Sequence, residues 1–110
     1  MKAGEHHKPE VDQVAERQLC EAMAALKDAD EAQAFLRDLC TPAELQAMAD
    51  RWRVVGLLKT GKPYREINQL TGVSVTTVGR VARCLEAGNG GYSSLAERLQ
   101  LGAEPGRERH

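Results

Sequence analysis

The sequence predicts an all-α chain organised around a helix-turn-helix, and three observations predict it. In residues 63–85, PYREINQLTGVSVTTVGRVARCL, Ile67 and Leu70 sit three apart, while Val78, Val81 and Leu85 fall at i, i+3 and i+7. Each of two segments therefore carries one narrow apolar stripe of helical period. Between them, Gly72 can take positive φ without a Cβ clash, and Ser74 is placed to cap a helix starting at Val75. Two short helices with such stripes must pack on each other across that turn, which is the helix-turn-helix arrangement.

The third observation is the distribution of charge. The formal net charge is only −1 over 110 residues, but it is strongly segregated. From 51 to 85, Arg51, Arg53, Lys59, Lys62, Arg65, Arg80 and Arg83 face Glu66 alone, a net of +6. Residues 1–50 carry −6 and residues 86–110 carry −1. The basic segment coincides with the helix-turn-helix, the electrostatic footprint expected of a duplex-binding surface.

Taken in order, residues 1–9 are polar, contain Gly4 and Pro9 and lack periodicity, so they are read as a disordered tail. The His6-His7 pair has no third ligand at useful spacing and is read as solvated. Across 10–26, Val11, Val14, Leu19, Met23 and Leu26 recur near helical spacing, predicting a first helix. Asp28 or Asp30 then caps a second over 31–39, with Phe35, Leu36 and Leu39 inward. Thr41-Pro42-Ala43-Glu44 is a helix start, with Thr41 as cap, Pro42 at the first helical position and Glu44 reaching back as a capping box.

That third helix is predicted to run to about Leu58 or Thr60 and to end at Gly61. It is apolar on more than one side: Leu45, Met48, Ala49, Trp52 and Val55 on one face, Val54, Leu57 and Leu58 beside it. A stripe that wide suits a helix buried between neighbours, and in a chain this short it implies a homodimer. Trp52 is read as a core or interface anchor. After Leu85, the run Ala87-Gly88-Asn89-Gly90-Gly91 stops the second helix of the motif, as a hinge or a fixed turn. No GK[ST] follows, so it is not read as a phosphate cradle. Residues 92–101 close the fold as a last helix with Leu95, Leu99 and Leu101 inward, and 102–110 is a polar tail. The domain is thus placed at 10–101.

Composition excludes several function classes. Cys20, Cys40 and Cys84 are odd in number and never in CxxC, which argues against a disulfide framework or a zinc ribbon and fits a reducing cytoplasm. No apolar leader opens the chain and no apolar run approaches a membrane span, so a soluble cytoplasmic protein is expected. There is no Ser/His/Asp set, no HExxH and no paired carboxylates in an apolar setting, so an enzyme is not expected. Neither a cofactor nor a metal is expected.

The string TPAELQAMADRW followed by GKPYREINQLTGVSVTTVGRVARCLEAGNGGY resembles the YerC/YecD group of the tryptophan-repressor superfamily, and the preceding LCEAMAALKDADEAQAFLRDLC matches that group's N-terminal part. The resemblance implies a TrpR-like helical bundle forming an intertwined homodimer that binds double-stranded DNA through two symmetric helix-turn-helix heads. Three positions depart from the usual motif and are expected to weaken it slightly: Asn68 where a small apolar residue is usual, Gly79 within the second helix, and Pro63 at the cap of the first.

The resemblance also bears on an effector. Arg51 and Arg80 match the two arginines that flank tryptophan in the repressor, but Val81 stands where a glycine makes room and Cys84 where a serine hydroxyl orients the ligand. These four residues form the candidate effector pocket, and with Val81 filling it a tryptophan corepressor is not expected. The function read from the sequence is a sequence-specific DNA-binding transcriptional regulator, of repressor type. Thr76, Thr77 and Arg80 are its base-reading residues, with Ser74 at the start of their helix, and Arg83, Lys62 and Arg65 hold phosphates. The alternative is a protein-interaction adaptor that uses the same fold without specific DNA binding.

Overall fold

The structure is a computed structural model that describes residues 12–102. The expected tails at 1–9, with His6 and His7, and beyond Gly102 lie outside the described residues. Within them the chain forms six helices and no strand: α1 (Gln13–Ala24), α2 (Ala29–Leu39), α3 (Pro42–Lys59), α4 (Tyr64–Thr71), α5 (Val75–Ala87) and α6 (Gly91–Arg98). The chain divides into two compact units at Thr41/Pro42.

The first unit holds α1 and α2, each started by an aspartate. Asp12 accepts from the backbone N–H groups of Val14 at 3.0 Å and Ala15 at 3.1 Å. This cap takes the position before Gln13, where α1 begins; the part of the expected first helix at residues 10 and 11 lies outside the described residues. Asp28 caps α2 by accepting from the Glu31 N–H at 2.9 Å, and Glu31 in turn accepts from the Lys27 N–H at 2.8 Å. Of the expected inward residues of α2, Phe35 and Leu36 are half-buried but Leu39 is exposed. Neither helix contains a buried residue, although Val14, Leu19 and Met23 are large and apolar.

The second unit carries the core. Val54 and Val55 of α3, Ile67 of α4, Val73 of the turn, Val78 and Val81 of α5 and Ala96 of α6 form one buried cluster, ringed by Trp52, Leu57, Leu58, Leu85, Tyr92 and Leu101. Helix α5 packs on α3, α4 and α6, and α3 also meets α4 and α6. Each fully buried Val or Ile removes enough apolar surface to contribute about 1.5–3 kcal/mol. No polar or charged side chain among the described residues is buried.

Helix α3 ends as expected at Gly61, which takes φ +85° and donates to the Leu58 carbonyl at 2.9 Å. The segment after α5 is a fixed turn. A Cβ on Gly88 would lie 2.5 Å from the Cys84 carbonyl oxygen, and Gly90 takes φ +87° to start α6. Ser93 Oγ then donates to the Leu85 carbonyl at 3.1 Å, tying α6 to the end of α5.

The inward face of α6 differs from the expected one. Ala96 is fully buried, with Tyr92 and Leu101 half-buried beside it, whereas Leu95 is 41% and Leu99 55% exposed. Leu101 reaches Gly56 of α3, 3.9 Å from where a Cβ there would sit. Tyr92 and Trp52 lie with ring centroids 6.2 Å apart and planes tilted by 41°. A small residue lets α6 approach closely, and the two leucines are left on its other side.

Candidate nucleic-acid interface

The turn between α4 and α5 is held by side chains as well as by Gly72, which takes φ +79°. Asn68 Nδ2 donates to the Val73 carbonyl at 2.8 Å. Thr71 Oγ1 donates to the Ile67 carbonyl at 2.7 Å and accepts from the Val73 N–H at 3.0 Å. Asn68 was expected to weaken the motif. Instead, its amide spans the turn, using a bond that a small apolar residue could not make. The Leu70 side chain, expected on the inner stripe, is 49% exposed; its carbonyl accepts from Arg53 Nη2 of α3 at 3.4 Å.

Helix α5 presents two sides of opposite character. Val78, Gly79, Val81 and Ala82 are buried, while Thr76, Arg80 and Arg83 are exposed. Ser74 caps the helix by accepting from the Thr77 N–H at 3.1 Å, and its Oγ lies 3.0 Å from Thr77 Oγ1. Thr77 is consequently half-buried and occupied with the cap, unlike Thr76. Val75, the first residue of α5, is also exposed.

Lys62 and Arg65 flank the start of α4, which begins after Pro63 without a side-chain cap. Lys62 Nζ lies 3.8 Å from Glu66 Oε2, and Arg65 is exposed. Lys62, Arg65, Ser74, Thr76, Arg80 and Arg83 therefore all lie on or next to the packed pair α4 and α5. Sequence reasoning passed over Tyr64, whose Cε2 stands 3.6 Å from the position a Gly79 Cβ would take. An aromatic at the first position of a helix, with the polar Asn68 four residues on, was the available signal.

Of the candidate effector residues, Arg51 on α3, Arg80 and Cys84 are exposed. Val81 is 2% exposed and packs in the same cluster as Val54 and Val55. Its branched side chain thus belongs to the core of the second unit. Among the described residues, no three His, Cys, Asp or Glu side chains are grouped to hold a metal ion, and no helix is long and apolar enough to cross a membrane.

Comparison with known proteins agrees with this fold. The chain is 40% identical over 83 residues to the uncharacterized protein YerC of Bacillus subtilis (strain 168), covering 76% of this chain and 80% of that one. The crystal structure of a TrpR like protein from Eubacterium eligens ATCC 27750 superposes with a TM-score of 0.76 at 39% identity, covering 84% of this chain and 95% of that one. A solved structure from Staphylococcus aureus gives the same TM-score of 0.76 at 33% identity, over 83% of this chain and 91% of that one. The family model described as Trp repressor protein matches residues 15–100, and the chain belongs to that family.

Proposed function

We propose that the protein is a sequence-specific, double-stranded-DNA-binding transcriptional regulator of repressor type, acting in the cytoplasm as a homodimer through α4 and α5. The observation that carries this reading is the two-sided character of α5: Thr76, Arg80 and Arg83 are exposed along a helix whose other side is buried. The helix also lies within the segment that carries the net +6. Arg80 suits bidentate pairing with guanine, Thr76 suits a base edge or thymine methyl, and Arg83, Lys62 and Arg65 suit phosphates. Membership of the Trp repressor family supports the same reading.

The homodimer is supported by apolar surface left open in one chain. Val14, Leu19, Met23, Leu39, Leu95 and Leu99 are all exposed, and burying them against a second copy would remove that apolar surface from water. Two heads on a two-fold axis select a near-palindrome with half-site centres about 10 base pairs apart or a multiple of that. Selection from random duplexes, repeated across salt concentrations, tests the reading. The expected result is a symmetric motif bound with steep salt dependence. Retention that ignores both salt and sequence would favour an adaptor.

A further inference from the structure

Gly79 is buried on α5 beneath two exposed side chains that come from different helices. The position its Cβ would take lies 3.6 Å from Tyr64 Cε2 of α4 and 3.7 Å from Arg83 Nη1 of α5. The Arg83 guanidinium folds back one turn and the Tyr64 ring reaches across from α4, so that both stand over the same point of the α5 surface at ordinary contact distance from it. Tyr64 remains 43% exposed. Among the described residues, neither the phenol nor this guanidinium has a hydrogen-bond or ion-pair partner.

A phenol O–H and a guanidinium offer donors and one fixed positive charge, with no acidic group between them; their natural ligand is an oxyanion, and a guanidinium fork matches phosphate geometry. Their place on the head suits the sugar–phosphate strand. Arg83 stands eight residues into α5 from Val75, roughly 12 Å along the axis at 1.5 Å per residue. Base edges are met by the N-terminal end of a reading helix, whereas the first helix of the motif crosses the backbone of the duplex. Tyr64 is the first residue of that first helix.

We propose that Tyr64 and Arg83 grip one backbone phosphate of the duplex together, Tyr64 donating a hydrogen bond through its hydroxyl and Arg83 supplying the charge. This rests on the DNA-binding reading above and adds to it a residue, Tyr64, and a coupling between two helices. Arg83 alone attracts any phosphate. With Tyr64 beside it, the phosphate is fixed in one position relative to both helices, which sets the depth at which α5 enters the groove.

Wild type, Tyr64→Phe, Arg83→Ala and the double variant should be compared on the selected site and on an unrelated duplex, across salt. Tyr64→Phe keeps the ring over Gly79, so the fold is expected to be retained, with an unchanged thermal midpoint. It should weaken both duplexes about tenfold, the loss of a hydrogen bond to a charged oxygen, while leaving the salt slope as it was because no charge is removed. Arg83→Ala should weaken both duplexes and lower the slope by about one unit for each phosphate no longer neutralised. The double variant should lose clearly less than the product of the two single losses. Wild-type binding by Tyr64→Phe, or losses that simply multiply, would overturn the shared grip while leaving the DNA-binding reading intact. A wild-type protein with no salt-dependent duplex binding would overturn that reading, and the grip with it.

Discussion

The Asn68 side chain donates to the Val73 carbonyl at 2.8 Å, joining the body of α4 to the residue that leads into the cap of α5. This bond fixes the angle between the two helices from within the turn. Asn68→Asp keeps the shape and removes the donor, leaving a half-buried carbonyl facing a carboxylate. It should destabilise the protein by about 1–3 kcal/mol, the loss expected when a partly buried acceptor is left without its donor. Chemical denaturation measures it, and an unshifted midpoint would mean that Gly72 and Thr71 hold the turn unaided.

Two glycines, one within α5 and one at its end, should respond to alanine with opposite signs. At Gly79 a Cβ meets only ordinary neighbours at 3.6 Å and 3.7 Å, so Gly79→Ala should raise stability by about 0.5–1 kcal/mol through helix propensity. At Gly88 the Cβ would sit 2.5 Å from the Cys84 carbonyl oxygen and 3.1 Å from its Cα, so Gly88→Ala must shift backbone and should lower stability. Paired thermal melts of the two variants check both signs at once.

The basic residues should divide into those that choose a sequence and those that hold any duplex. Arg80→Ala should reduce affinity for the preferred site by about 1–3 kcal/mol and relax selection at one base pair per half-site. Lys62→Ala should weaken all sequences alike and reduce the salt slope by about one unit per half-site phosphate it neutralises. Its 3.8 Å pairing with Glu66 is only partly covered from solvent and gives way to a phosphate. An Arg80→Ala protein with unchanged sequence preference would place the reading surface elsewhere.

Association can be read from sedimentation. With Leu39, Leu95 and Leu99 exposed in one chain, a dimer is expected at micromolar concentration. A well-folded monomer there would remove the two-headed arrangement and the palindrome with it.

Tryptophan itself should not bind usefully. Val81 is 2% exposed in the core beside Val54 and Val55, and Val81→Gly opens space without supplying a hydroxyl at Cys84. Calorimetry on wild type and Val81→Gly should detect no sub-millimolar binding; heat at that level in the wild type would restore a corepressor role.

Much of the fold was legible because local chemistry fixes it. Pro42 opens α3, Gly61 closes it, Gly72 takes positive φ and Ser74 caps α5, each where its backbone preference requires. The stripe of Val78, Val81 and Leu85 also faces inward as its period demands. What the sequence concealed depends on distances between helices. Ala96, not Leu95 or Leu99, lies against the core on α6 because close approach selects for smallness, and hydropathy ranks alanine below leucine. Asn68 looked like a flaw because its partner, the Val73 carbonyl, is a backbone atom that no composition rule reveals. At the candidate interface, Thr76, Arg80 and Arg83 were legible from their offset from the apolar stripe, while Tyr64 was not, since its neighbour is the empty side of a glycine on another helix.

The tilted pair formed by Trp52 and Tyr92, 6.2 Å apart, has a spectroscopic consequence. Trp52 is the only indole in the chain, and it lies on α3, whereas both reading helices contain none. Its emission therefore reports on the packing around α3, where its ring partner is Tyr92 of α6. In a Tyr64→Phe background, where Tyr92 is the one tyrosine left, energy absorbed by Tyr92 passes to Trp52 at this separation, so the ratio of tyrosine to tryptophan emission becomes an optical gauge of whether the GNGGY turn is closed.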